Sequence, residues 1–94
     1  MYPSLDGQHV FITGGGSGIG ASIVEAFANV GSIVTFVDID INASTALASR
    51  FTNVTFEHCD IRNIETLRSV IDKSIEGNGP IAVRRANQRA GRGD

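Results

Sequence analysis

The run Thr13-Gly14-Gly15-Gly16-Ser17-Gly18-Ile19-Gly20 has the residue types and spacing to hold a pyrophosphate. A backbone that must turn sharply, approach a phosphate closely and then start a helix against a strand needs positions without Cβ, and Gly14, Gly18 and Gly20 are spaced for those three tasks. The N–H groups at a helix start are free and carry partial positive charge, so backbone alone can bind the anion. An acid, Asp38, stands eighteen residues past Gly20 at the end of an apolar run. It can accept hydrogen bonds from both hydroxyls of an adenosine ribose, whereas a 2′-phosphate in that place meets like charge. The chemistry indicated is dinucleotide binding, with NAD preferred over NADP; a plain solvated turn residue is the other reading of Asp38. A nucleotide-triphosphate P-loop fails on one residue, because taking Gly15 and Gly20 as its outer glycines puts Ala21 where the lysine has to be.

These residues need strands before them and helices after them, and the chain alternates accordingly. Val10 to Thr13 reads as a first strand; Ile19, Ile23, Ala26, Phe27 and Val30 recur at helical spacing, and Gly31 sits where a left-handed stop is expected. Ile33 to Asp38 is a β-branched and aromatic run that suits a buried parallel strand. Asn42 is placed to cap a short helix with Ala43, Ala46, Leu47 and Phe51 inside. Val54 to Cys59 is the third strand. Asn63 to about Ile75 carries Ile64, Leu67, Val70, Ile71 and Ile75 on one face, and Glu76 to Pro80 stops it. A fourth strand starts at Ile81-Ala82-Val83, where Arg84-Arg85 interrupts the apolar run. The expected fold is α/β and Rossmann-like, a parallel sheet of three to four strands with helices on both faces. Its first strand is central, and Gly14 to Gly20, Asp38 and Asp60 gather at the carboxyl ends of the strands.

The pattern T-G-x-x-x-G-x-G at Thr13 to Gly20 resembles that of the short-chain dehydrogenases/reductases, and the likeness runs from about Leu5 to Val83. The opening Tyr2 to Gly7, taken with Ile12 to Gly20, is similar to the branch containing bacterial aldose dehydrogenases, xylose dehydrogenase among them. The resemblance implies cofactor contacts at Gly14, Gly16, Ser17, Gly18, Ile19 and Gly20, at Asp38 and Ile39, and at Asp60 and Ile61, with Asp60 meeting the adenine. An acid at position 60 also suits a helix start. NADP-preferring members carry a basic residue at positions that here are Ser17 and Ile39, which again favours NAD. The family reaction, hydride transfer between a nicotinamide and an alcohol or sugar hydroxyl, is assisted by a Ser and by the Tyr and Lys of Y-x-x-x-K. Here the only tyrosine is Tyr2 and the only lysine Lys73, so no catalytic residue is assigned. The family's N-N-A-G, due near residues 86–90, has only a faint echo in Ala86 to Gly91.

Ninety-four residues with 41% apolar content describe one small globular domain, taken as residues 1–83 and incomplete relative to the full family fold. Four of the eight basic residues, Arg84, Arg85, Arg89 and Arg92, fall in the last eleven positions, and residues 84–94 are expected to form a disordered arginine-rich tail. The acidic body argues against specific nucleic-acid binding. No apolar run approaches the about 18 residues of a membrane span, and no basic and apolar leader opens the chain, so the expected location is cytoplasmic. Cys59, alone, reads as a small buried residue at a strand end; His9 and His58 lack partners at metal spacing and read as structural or surface residues. The Asn53-Val54-Thr55 sequon carries little meaning here.

Two function classes fit these residues. The chain is the cofactor-binding part of an NAD-dependent short-chain dehydrogenase, or it is a noncatalytic nucleotide- or partner-binding module. In either case the second edge of the first strand, unless Ile81 to Val83 covers it, is a template for self-association.

Overall fold

The computed structural model describes residues 6–16 and 18–86, with only the backbone described for 84–86. Ser17, the opening residues 1–5 and the stretch 87–94, which carries most of the arginine-rich segment and of the N-N-A-G echo, lie outside the described residues. The elements are β1 (His9–Thr13), α1 (Gly18–Asn29), β2 (Ile33–Asp38), α2 (Ile41–Ala48), β3 (Val54–His58), α3 (Ile64–Asn78) and β4 (Ile81–Ala86). All four strands are parallel, in the order β3-β2-β1-β4. The expected α/β architecture is therefore present, with β1 central. Among the described residues no helix is long and apolar enough to cross a membrane.

Alternation along the strands sends side chains to two cores. Val10, Ile12, Val34, Phe36 and Val54 meet Val24 and Ala28 of α1 and Leu47 of α2 on one face, whereas Phe11, Val37 and Cys59 meet Leu67, Val70 and Ile71 of α3 on the other. Phe36 and Phe56 add a tilted ring contact at 5.3 Å between centroids. Cys59 is buried just past β3, as read from the sequence.

Several details depart from the sequence expectations. The buried row of α1 is Gly20, Val24 and Ala28, not the expected stripe; Ile19 and Val30 are 72% and 51% exposed and Ala26 is exposed. A four-residue ridge of small side chains lets the helix lie close on the sheet, and Ile23 and Phe27 pack only from its flank. Helix α2 is capped by Asp40 rather than Asn42, since Asp40 Oδ1 accepts the Ala43 N–H at 3.0 Å, and Ser44 and Leu47 are buried while Ala46 is exposed. Asn63 caps α3 through the Thr66 N–H at 3.1 Å, which leaves Ile64 in the first turn and 59% exposed. The helix runs on to Asn78 and ends at Gly79, whose φ of +83° favours a residue without Cβ.

The arginine pair does not end β4. Arg84, Arg85 and Ala86 pair with Phe11, Ile12 and Thr13 of β1, because a ladder is made by backbone groups that arginine supplies as well as valine does. Strand β4 thus runs past Val83, and the second edge of β1 is paired; among the described residues the unpaired edges belong to β3 and β4.

Two polar residues, His9 buried and Asn53 half-buried, lock the amino ends of the strands. His9 Nδ1 is 3.0 Å from the Gly79 carbonyl oxygen and Nε2 is 3.0 Å from Thr35 Oγ1, so this histidine is structural. Asn53, the residue of the sequon, donates from Nδ2 to the carbonyls of Ala28 at 3.0 Å and Ser32 at 2.7 Å, tying the start of β3 to the end of α1. Asn53→Ala removes both bonds, and the expected loss of stability is about 1–3 kcal/mol, read as a lower urea midpoint at unchanged slope. An unchanged midpoint would remove this tie from the account.

Candidate functional site

The carboxyl ends of β1, β2 and β3 bring the residues singled out in the sequence to one rim of the sheet. After Thr13 the chain leaves β1 with Gly14 at φ +70°, a conformation open to glycine and rare for other residues. The Gly14 and Gly15 N–H groups both donate to the Val37 carbonyl, at 2.8 and 3.3 Å, and the Gly16 N–H donates to Asp38 Oδ2 at 2.9 Å. Three successive glycine amides are thus tied to the last two residues of β2.

Each glycine is required for a different reason. A Cβ on Gly15 would lie 2.8–2.9 Å from Phe36, which is fully buried. On Gly16 it would collide with Ser44 Oγ and come within 2.9 Å of Asp38 Oδ2. On Gly18, where φ is +58°, it would meet nothing within 4 Å among the described residues beyond its own helix. Gly15 and Gly16 are therefore fixed by packing, and Gly18 by backbone conformation with open space before it. Gly20 is buried in the helix–sheet contact.

Helix α1 begins at Gly18 with no acidic side chain in its first turn, so no carboxylate of that turn competes for its free amides. Asp38 is held on both oxygens: besides the Gly16 bond, Oδ1 accepts the Asp40 N–H at 2.8 Å. Ser44 Oγ, on the far side of Gly16, is buried without a hydrogen-bond partner among the described residues, as is Thr13 Oγ1.

Asp60 reaches the same rim, since the Cys59 N–H donates to the Asp38 carbonyl at 3.2 Å one residue before it. Its carboxylate is grasped by Arg62, with Nη2 at 2.7 Å and Nε at 3.0 Å from its two oxygens, and also accepts the Arg62 backbone N–H at 3.0 Å. The Arg62 side-chain hydrogen bond, reinforced by that backbone bond, lowers the Asp60 pKa to about 2, so it is ionised throughout the neutral range. Asp60 does not cap α3; Asn63 does. Beside it, burial pushes the Cys59 thiol pKa up, with the Asp60 charge adding to the effect, which keeps the thiol protonated.

Ile19, Ile39 and Ile61, each following a glycine or an acid of the site, are 72%, 64% and 38% exposed. Gly15, Ser44 and Arg62 complete the neighbourhood and were not singled out from the sequence as its parts. The first sits in the middle of the glycine run and the last two residues from Asp60, but Ser44 has no sequence signal beyond its helical phase.

The arrangement can take an elongated anion with polar hydroxyls at one end: free amides at the α1 start, open space at Gly18, and a fixed carboxylate at the end of β2. The family model for short chain dehydrogenases matches residues 8–88. The chain is 41% identical over 88 residues to the probable galactose dehydrogenase GalD of Rhizobium meliloti (strain 1021), covering 88% of this chain and 34% of that protein. It is 42% identical over 74 residues to the D-xylose 1-dehydrogenase of Caulobacter vibrioides, covering 74% of this chain and 30% of that protein. Among solved structures, a citronellol catabolism dehydrogenase of Pseudomonas aeruginosa PAO1 superposes with a TM-score of 0.80 at 29% identity, over 89% of this chain and 37% of that one. The chain therefore spans about a third of the length of the relatives it matches.

Proposed function

The chain belongs to the short-chain dehydrogenase family, and we propose that it holds NAD, in preference to NADP, across the carboxyl rim of its sheet. The family uses nicotinamide dinucleotides, and the bound group supplies the hydride-accepting nicotinamide. The observation that carries the preference is Asp38: its carboxylate is fixed at the end of β2 by two backbone N–H groups, with a lone pair left on each oxygen for ribose hydroxyls. A 2′-phosphate brought to the same place meets a carboxylate, and Ile39 beside it offers no compensating cation.

The remaining assignments follow from the same rim. The amides of Gly18, Ile19 and Gly20 at the start of α1 receive the pyrophosphate, with the glycine turn at Gly14 to Gly16 leading to it. Ile39 and Ile61, exposed apolar side chains beside the two acids, supply the walls for an adenine ring, and Asp60 with Ile61 bounds its edge. In the longer proteins that this chain resembles, the chemistry would be hydride transfer with an alcohol or sugar hydroxyl; the sugar class rests on the likeness to galactose and xylose dehydrogenases.

Titration of the purified chain with NAD and NADP, followed by calorimetry, tests the reading. NAD is expected to bind more tightly, and Asp38→Ala to narrow the ratio between the two. Tighter NADP binding by the unmutated chain would reverse the assignment, and binding of neither would remove it.

A further inference from the structure

Both oxygens of Asp38 are engaged by backbone N–H groups of the chain itself. Its Oδ2 takes the Gly16 N–H at 2.9 Å and its Oδ1 the Asp40 N–H at 2.8 Å. We infer that Asp38 is a positioning residue of the glycine turn: it fixes the turn in its binding geometry, so that it governs affinity for the diphosphate as well as recognition of the ribose. The inference rests on the dinucleotide reading above for its ligand, and on the hydrogen bonds alone for its structural part.

Three glycines in succession lose more conformational freedom on ordering than any other residue type, so the turn from Gly14 to Gly16 needs external ties to hold one shape. Its first two amides share a single acceptor, the Val37 carbonyl. The third donates to the Asp38 side chain, and Gly16 is buried beside Ser44 of α2. Ser44 cannot replace the lost acceptor without moving, since its hydroxyl forms no hydrogen bond in its present place. Without the carboxylate, the Gly16 N–H would be left buried and unpaired, which is the costly condition for a backbone donor. Relief comes only by reshaping the turn that leads into the α1 start, where the diphosphate sits.

The same bonds fix the carboxylate for its second task. Each oxygen keeps a lone pair, so two ribose hydroxyls add to the existing bonds rather than displace them. Asp40 is drawn in as well, because it caps α2 through the Ala43 N–H while donating its own N–H to Asp38. Turn, acid and α2 start are then one hydrogen-bonded unit.

A pair of ligands separates this role from simple ribose recognition: ADP, and 2′,3′-dideoxy-ADP, which lacks the hydroxyls. If Asp38 only recognises ribose, Asp38→Ala leaves dideoxy-ADP affinity unchanged or raises it, since a negative charge is removed from the neighbourhood of an anion. If Asp38 also holds the turn, dideoxy-ADP affinity falls, by at least about tenfold, against the sign of the charge effect. Asp38→Asn, which keeps the size and one acceptor oxygen, serves as the second variant where alanine does not fold, with a smaller fall for both ligands. Hydrogen exchange of the Gly16 amide in the unliganded chain is the readout independent of ligand: it is expected to be slow in the wild type, fast in Asp38→Ala and intermediate in Asp38→Asn, where one acceptor oxygen is left for two N–H donors. A wild-type chain that binds no ADP would sink the cofactor reading and leave the exchange arm to decide the turn. Unchanged or tighter dideoxy-ADP binding, or Gly16 exchange that is fast in the wild type or unaltered in the variant, would overturn the positioning role.

Discussion

Gly18→Val is expected to abolish dinucleotide binding while leaving the chain folded. At φ +58° a β-branched residue is a backbone outlier, and the left-handed conformation costs an L-residue about 1–2 kcal/mol. That strain is tolerable for folding, because the added Cβ meets nothing within 4 Å among the described residues beyond its own helix. Binding suffers on two counts: the valine methyl groups take the open space in front of the α1 start, and any relaxation of φ turns the first amides of the helix away from the anion. A hydrogen bond to a charged group contributes about 1.5–3 kcal/mol, so losing two of them weakens NAD by a factor of at least about 100. Gly15→Val gives the opposite pattern. There the Cβ falls 2.8–2.9 Å from a fully buried Phe36, and the damage is to the fold itself. Wild-type NAD affinity in a folded Gly18→Val chain, established by circular dichroism and calorimetry on one sample, would remove the turn from the binding site.

Features governed by periodicity or by backbone conformation could be read from the sequence; those made by single long-range contacts could not. Strands buried on both faces of a parallel sheet must be continuously apolar, so Ile33 to Asp38 announces β2 with its observed limits. Gly31 stands at φ +90°, as a helix stop requires. The phase of α1 was missed because a row of small residues, Gly20, Val24 and Ala28, carries less hydrophobic weight than Ile19 and Val30, which solvent takes instead. The fourth strand was read too short because side-chain polarity speaks for burial and not for ladder hydrogen bonds. Asp38 was found as an acid at a strand end, but its bond to Gly16 spans 22 positions and has no period to betray it. The same holds for Ser44 against Gly16, where a helix whose cap was misplaced by two residues, Asp40 for Asn42, hid which side chain faces the turn.

The 94-residue chain by itself is expected to bind NAD without turning over any alcohol or sugar. Proton transfer by a positioned side chain contributes about 10²- to 10⁴-fold to such reactions, and in this family that group is a tyrosine whose pKa a nearby lysine lowers. The chain has one tyrosine, Tyr2, and one lysine, Lys73, too far apart in sequence for that motif. Lys73 is moreover committed on α3, where its Nζ lies 3.2 Å from Glu57 Oε2. The rim positions a carboxylate at Asp38, tied to two backbone amides, and a second at Asp60, tied to Arg62, and Asp60 with a pKa of about 2 is a poor acceptor for an alcohol proton at neutral pH. A hydride acceptor held without an oriented alcohol beside it gains nothing from proximity. NAD affinity measured by calorimetry should therefore be finite while nicotinamide absorbance stays flat with galactose, xylose or simple alcohols at any protein concentration. Absorbance that rises in proportion to pure chain would mean that a group on this rim can take the proton, and Asp38 and Asp60 would be the first two to replace in finding it.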